Sequence, residues 1–341
     1  MDRRTMLALI GAGVALPLTP RGSRAEESPD QLYQAAKNEK TVVMYTSVPT
    51  FLLDRWKDLF EKQYPGVAVS YFRSGTGKVL ARIESERRAG QVGGDVIWLA
   101  DPTTFDELVK TKALASYQPP EWDAITLAKE PHGLYIGGRI IVGVLLVNKQ
   151  VLPEAPSSFA DLIKPEYKGK IAIASPLISG SANMIDGALL KDPRFGWAYF
   201  EALKRNDVLV LADVPDVARS VAQGERAAGI SLTMYKYQSE FQNSPMEIVF
   251  PSEGAVPVAS PLGLLAGSPH PAAAKLFYRF LLSQPAQAVL AESGIYPART
   301  DTPPPAGLPA LQDLKTMTPD ADWILAHQSE NNEHWRQIFG G

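Results

Sequence analysis

The sequence predicts an α/β protein built as two lobes, and three observations lead there. Strand-like apolar runs alternate with amphipathic helical ones along most of the chain. Its 341 residues exceed what one hydrophobic core usually carries, roughly 250–300 residues. Two apolar stretches, 140–147 and the pair 248–250 and 255–259, sit where strands would cross from one lobe to the other and back.

Residues 41–45 (TVVMY) read as a buried strand that ends in the small polar pair Thr46-Ser47. Leu52, Leu53, Trp56, Leu59 and Phe60 recur at helical spacing through 51–64, and Pro65-Gly66 stops that helix. Residues 67–72 (VAVSYF) form a second strand and Ser74-Gly75-Thr76-Gly77 a loop. A helix then runs to about residue 89, followed by a third strand at 95–99 (DVIWL). The order is β-α-β-α-β, each strand leading into a short polar turn. In open α/β sheets ligands sit at those carboxyl ends.

Beyond the crossing run at 140–147 (IIVGVLLV) the pattern predicts a short helix at 159–163 and a strand at 170–174 (KIAIA). Helices follow from about Gly180, over 194–204 and over 216–223, with a strand at 227–232 (AAGISL). After the return crossing come helices at 271–282 and 285–292, then a Pro-rich extended tail at 303–309. The expected organisation is one lobe from 26–139 plus 256–300, a second from 140–255, and an extension, 301–341, packing on the lobes.

Residues 1–25 read as an export signal. Arg3-Arg4 precede an apolar stretch of 13 residues from Met6 to Leu18, and Ser23-Arg24-Ala25 offers a small-x-small cleavage pattern. Thirteen residues are too few to span a bilayer, and the arginine pair gives the segment a twin-arginine character. Cleavage after Ala25 removes four Arg and one Asp, which takes the formal charge from -3 to -6. No basic excess exists to neutralise a phosphate backbone, so nucleic acid is not the expected partner. The chain has no cysteine, which excludes disulfides, thiolate metal sites, a cysteine nucleophile and a lipid-modified cysteine anchor. A periplasmic, monomeric, soluble protein is expected, with no insertion into the membrane.

Two loops carry the candidate chemistry. Ser74, Gly75 and Thr76, and on the other lobe Ser179, Gly180 and Ser181, each stand between a strand and a helix. The first N–H groups of a helix and its positive dipole end suit phosphate, phosphonate or carboxylate. The same residues also serve as plain helix caps. Thr46 and Ser47 lie at another strand end, Tyr235 lies just past a strand, and Arg139 precedes the crossing strand, where it can meet an anion bidentately. Asp101 and Asp213 are the acids of these turns and would count toward a polyamine or other cation. Trp98 and Tyr45 are expected in the core. No G-x-S-x-G or H-E-x-x-H motif is present. His327, Glu330 and His334 share a helical spacing that reads as a solvated terminal helix. No cofactor is expected, and a periplasmic hydrolase is the competing class.

Read in order, VVMYTS (42–47), FEKQYPGVAVSYFRSGTG (60–77), GGDVIWLADP (93–102), VLLVNKQVLPEAPSSFADLIKPEYKGKIAIASP (144–176), DVPDVARSVAQGERAAGIS (213–231) and HPAAAKLFYRFLLSQPAQAVLAESGIYP (270–297) resemble the ferric-iron and phosphonate group of type II periplasmic binding proteins of ABC importers. The resemblance implies two α/β lobes, each a mixed sheet flanked by helices, joined by two hinge strands with the ligand between them. It also implies a permease and an ATPase as partners. Iron-handling members hold ferric ion with a Tyr-Tyr pair after the strand matching 227–232. Here Met234 replaces one tyrosine, a poor ligand for a hard cation, and Tyr235, Tyr237 and Asp101 remain as candidates. Ferric ion is therefore the alternative, and a small organic anion the leading expectation.

Overall fold

The computed structural model describes residues 27–125 and 127–340. The predicted export segment, 1–25, lies outside them. In chain order the elements are α1 (Pro29–Glu39), β1 (Thr41–Thr46), α2 (Thr50–Gln63), β2 (Ala68–Arg73), α3 (Thr76–Arg88), β3 (Val96–Trp98), α4 (Thr103–Lys110), β4 (Leu114–Ala115) and β5 (Tyr135–Asn148). They continue with β6 (Ile171–Ala174), α5 (Gly180–Lys191), α6 (Gly196–Arg205), β7 (Leu209–Leu211), α7 (Val214–Ala222), β8 (Ala228–Leu232), β9 (Met246–Val249) and β10 (Val256–Leu265). Helices α8 (Pro271–Leu281) and α9 (Gln284–Glu292), strand β11 (Tyr296–Pro297), and helices α10 (Ala321–Ala326) and α11 (Gln328–Phe339) complete the chain.

The strands follow the order β2-β1-β3-β10-β5-β8-β6-β7, with β4 on β10 and both β9 and β11 on β5. Strands β1, β2 and β3 are mutually parallel, as are β6, β7 and β8. Such strands are covered by helices on both faces and read as near-continuous apolar runs, which is why all of them but β7, three half-buried residues, were legible in the sequence. The two lobes do not have separate sheets. Strand β5 pairs with β10 over Tyr135 to Gly143 and with β8 from Gly143 to Val147, so one mixed sheet runs through both. The return crossing is β10; β9 only adds an edge beside the second half of β5.

A register shift interrupts the β5–β10 ladder between Ser260 and Pro261. Proline has no N–H for a ladder and is tolerated at a bulge. The Ser260 hydroxyl beside it donates to Leu99 O at 2.6 Å. Underneath, Trp98 is fully buried and stacks on Trp56 at 5.0 Å between ring centroids, the core role expected of it. Tyr45 is likewise buried, its hydroxyl donating to Glu86 at 2.7 Å.

Three helices, α1, α4 and the six-residue α10, had no counterpart in the apolar pattern. α1 is short and held at its start by a capping box, Ser28 and Gln31 exchanging bonds with each other's backbone. α4 has only eight residues. The tail after residue 300 runs over both parts of the sheet: the Tyr237 hydroxyl donates to Ala306 O at 3.0 Å, Thr316 bridges to Ala255, and Asp320 pairs with Lys191 of α5. His334 stacks on Trp197 at 4.2 Å and His327 on Trp323 at 4.4 Å, so these imidazoles pack against aromatic rings.

Candidate ligand-binding site

The carboxyl ends of β1, β2 and β3 face the N-termini of α5 and α7 and the turn after β8. A small cavity lies between them. Nine of the predicted residues line it: Ser47, Gly75, Thr76, Arg139, Ser179, Gly180, Ser181, Asp213 and Tyr235. Arg73, Ala100, Ile141, Val214, Leu232 and Met234 complete the wall and were not predicted.

Arg139 is the most informative of these. It sits on β5 with 1% of its surface exposed, and among the described residues no carboxylate is paired with it. Its Nε donates to Ser260 Oγ at 3.2 Å, and Ser260 in turn donates to Leu99 O at 2.6 Å. The guanidinium lies 5.5 Å from the Trp98 ring centroid, a cation–π contact that orients it without neutralising it. Nη1 is buried and finds no hydrogen-bond partner among the described residues. Burial lowers the proton affinity of this group, to a pKa of about 10; Tyr235 works slightly the other way and Arg73 adds repulsion. At neutral pH the group is still charged. A buried, uncompensated guanidinium is costly, and it is satisfied most simply by an anion.

Further donors converge on the same space. The N–H groups of Thr76 and Gly77 open α3, those of Gly180 and Ser181 open α5, and none finds an acceptor among the described residues. Thr76 Oγ1 and Arg73 Nε are also buried without partners among the described residues. Ser179 caps α5 by accepting from Ala182 N at 3.5 Å, so its hydroxyl is partly committed. Ser47 Oγ accepts from Ala100 N at 3.0 Å and keeps its own proton for another acceptor. Tyr235 is buried. Burial first, then the Asp213 carboxylate, push its hydroxyl well above the usual range, with Arg73 and Arg139 pulling back. It is a neutral phenol, able to donate a hydrogen bond.

The acid in the wall is Asp213. Its Oδ1 accepts from Val214 N at 2.8 Å, capping α7, and its Oδ2 lies 3.7 Å from Arg73 Nη2 on the opposite side of the cleft.

Three predicted residues are corrected. Thr46 does not line the cavity: its hydroxyl donates to Trp98 O at 2.7 Å and accepts from Val48 N at 3.0 Å. Ser74 does not line it either; its N–H continues the strand pairing to Thr46 O at 3.1 Å, while Arg73 before it and Gly75 after it both line the cavity. Asp101 is buried and turned away, with Oδ1 held by Thr103 N at 2.9 Å and Thr103 Oγ1 at 2.7 Å, and Oδ2 by Asn183 Nδ2 at 2.7 Å. The iron set of Tyr235, Tyr237 and Asp101 is not brought together, because Tyr237 points to the tail and Asp101 to Asn183. Among the described residues no three His, Asp or Glu side chains gather where they could hold a metal.

The model of the bacterial extracellular solute-binding proteins matches residues 41–296. A periplasmic protein of Salmonella paratyphi A for which 2-aminoethylphosphonate binding has been proposed is 27% identical over 298 residues, covering 82% of this chain and 86% of the relative. An Fe(3+)-binding periplasmic protein of Serratia marcescens is 28% identical, covering 75% of this chain and 78% of that one. Among solved structures, the periplasmic binding protein AfuA of Actinobacillus pleuropneumoniae, with exogenous fructose-6-phosphate bound, superposes with a TM-score of 0.78 at 25% identity. It covers 88% of this chain and 98% of its own.

Proposed function

Because the chain belongs to the bacterial extracellular solute-binding proteins, we propose that it is the receptor of an ABC importer and that its ligand is a small organic anion: a phosphonate, a phosphate ester or a carboxylate. The observation that carries this reading is Arg139, a guanidinium that lines the cavity and has a buried Nη1 without a hydrogen-bond partner among the described residues. Two helix N-termini and the Tyr235 hydroxyl add neutral donors around it. Charge-assisted hydrogen bonds contribute roughly 1.5–3 kcal/mol each, so a few of them support micromolar affinity. The phosphonate and sugar-phosphate ligands of the two anion-linked relatives are of this chemical kind.

In this reading residues 26–139 with 256–300 form one lobe and 140–255 the other, and β5 and β10 carry the hinge. Residues 1–25 are a twin-arginine-type export signal, and cleavage leaves the protein free in the periplasm. No helix among the described residues is long and apolar enough to cross a membrane. The protein binds its solute without transforming it, and a permease with its ATPase receives the solute. Ferric ion finds less support, since Tyr235, Tyr237 and Asp101 are not gathered: Tyr237 bonds Ala306 O and Asp101 bonds Asn183.

Native mass spectrometry of protein purified without refolding tests the reading. The expected result is a stoichiometric anion of at most a few hundred daltons, released on denaturation. A complex carrying only a metal ion, or turnover of simple phosphate esters, would contradict it.

A further inference from the structure

We infer that Asp101 and Asn183 form a latch between the two lobes that sets ligand affinity without touching the ligand. The inference rests on the reading that the lobes open and close around a solute. Asp101 follows β3 on one side of the cleft, and Asn183 lies on α5 on the other. Asn183 Nδ2 donates to Asp101 Oδ2 at 2.7 Å, whereas the charged pair across the same cleft, Arg73 and Asp213, stands at 3.7 Å.

The carboxylate is set for this contact before the lobes meet. Its other oxygen is fixed by the N–H and hydroxyl of Thr103, and its backbone oxygen accepts from Thr104 Oγ1 at 2.7 Å. Asp101 is 3% exposed, so its bond to Asn183 is shielded from water. The lobes approach closely beside it: a Cβ at Gly180 would stand 2.6 Å from Thr76 Oγ1 and 2.8 Å from the Asp101 Cβ. Opening the cleft breaks the bond and leaves a fixed carboxylate oxygen to be rehydrated. Neither residue lines the cavity, so the pair acts as a positioning device. Apparent affinity is the intrinsic affinity scaled by the fraction of molecules that are closed. The latch raises that fraction, and it acts mainly on the rate of release.

Because the chain has no cysteine, spin labels at Lys62→Cys and Glu201→Cys, on exposed faces of the two lobes, report the opening directly by electron–electron distance measurement. In the ligand-free protein, Asn183→Ala is expected to move the distribution toward longer distances while the melting transition stays cooperative. Asp101→Asn, whose amide can still meet Asn183 if the latter flips, is expected to move it less. With 2-aminoethylphosphonate as probe, Asn183→Ala should weaken binding about tenfold, most of it in the dissociation rate. If the probe does not bind wild type, the ligand reading is at fault and the ligand-free distances still decide the latch. Unchanged distances in a folded Asn183→Ala protein overturn it.

Discussion

Arg139 and Arg279 are both buried, with 1% and 8% of their surface exposed, yet their surroundings differ in kind. Arg279, on α8, donates from Nε and Nη2 to Glu121 Oε1 at 3.2 and 3.0 Å, and from Nη1 to Glu27 O at 3.3 Å. Burial lowers its proton affinity, but the Glu121 bond and charge more than offset this and hold it above the usual value. Arg139 has a serine, the face of a tryptophan and a neighbouring arginine, and burial prevails. In the first environment the chain itself supplies the counter-charge, which holds α8 to the segment at Glu121. The second is complete only when an anion joins it. Burial of a charge is therefore uninformative by itself; what matters is whether the chain supplies the counter-charge.

The largest expected effect breaks the comparison at Arg139. Arg139→Met should reduce anion affinity more than 100-fold, about the worth of two charge-assisted hydrogen bonds. Its melting temperature should be no lower than wild type, because a buried charge without a carboxylate is replaced by an apolar side chain of similar length. A parallel loss of fold would mean that Arg139 is structural after all. Arg279→Met should behave in the opposite way. It strands the Glu121 carboxylate and should cost roughly 2–3 kcal/mol, below the 3–5 kcal/mol of a fully buried pair because Glu121 is partly exposed. Denaturant unfolding measures that loss, and calorimetry on the folded fraction should find ligand affinity unchanged.

A smaller effect sharpens the contrast from the acidic side. Burial pushes the Asp161 carboxyl up, but Lys164 and the Ser157 and Ser158 donors outweigh it and bring the pKa down to about 2. A folded value below the unfolded one, about 3.9, gives stability that is present above pH 4 and lost as pH falls through 2. Asp161→Asn should cost about 1–2 kcal/mol at pH 7, since one pKa unit corresponds to about 1.4 kcal/mol and Lys164 is half exposed. The difference from wild type should shrink as pH falls through 2 and vanish below it. A gap that persists there would assign the loss to packing.

Most of the sheet was legible because its parallel strands are short apolar runs closed by Gly, Ser and Thr, and those turns located both helix N-termini in the cleft. Less legible was which polar groups the fold would consume internally. Thr46 has the chemistry of a ligand contact, but strand alternation points its hydroxyl at Trp98 O. Asp101 seemed free because Thr103 is too near in sequence to attract notice, and Asn183, 82 positions away, too far. Arg73 falls between the strand read at 67–72 and the loop at 74–77 and drew no reading; its place in the cavity wall and its approach to Asp213 put it in the cleft. The sheet itself joins the lobes, since a run such as 140–147 cannot reveal that it pairs with different neighbours at its two ends.

The most direct test is titration calorimetry of wild type and Arg139→Met against one panel: 2-aminoethylphosphonate, inorganic phosphate, fructose-6-phosphate, citrate, spermidine and ferric citrate. The account predicts that at least one small phosphonate, phosphate or carboxylate binds wild type with micromolar or tighter affinity and that the variant, still folded, loses it. Binding confined to spermidine or to ferric ion, or an anion held equally well by Arg139→Met, would contradict it.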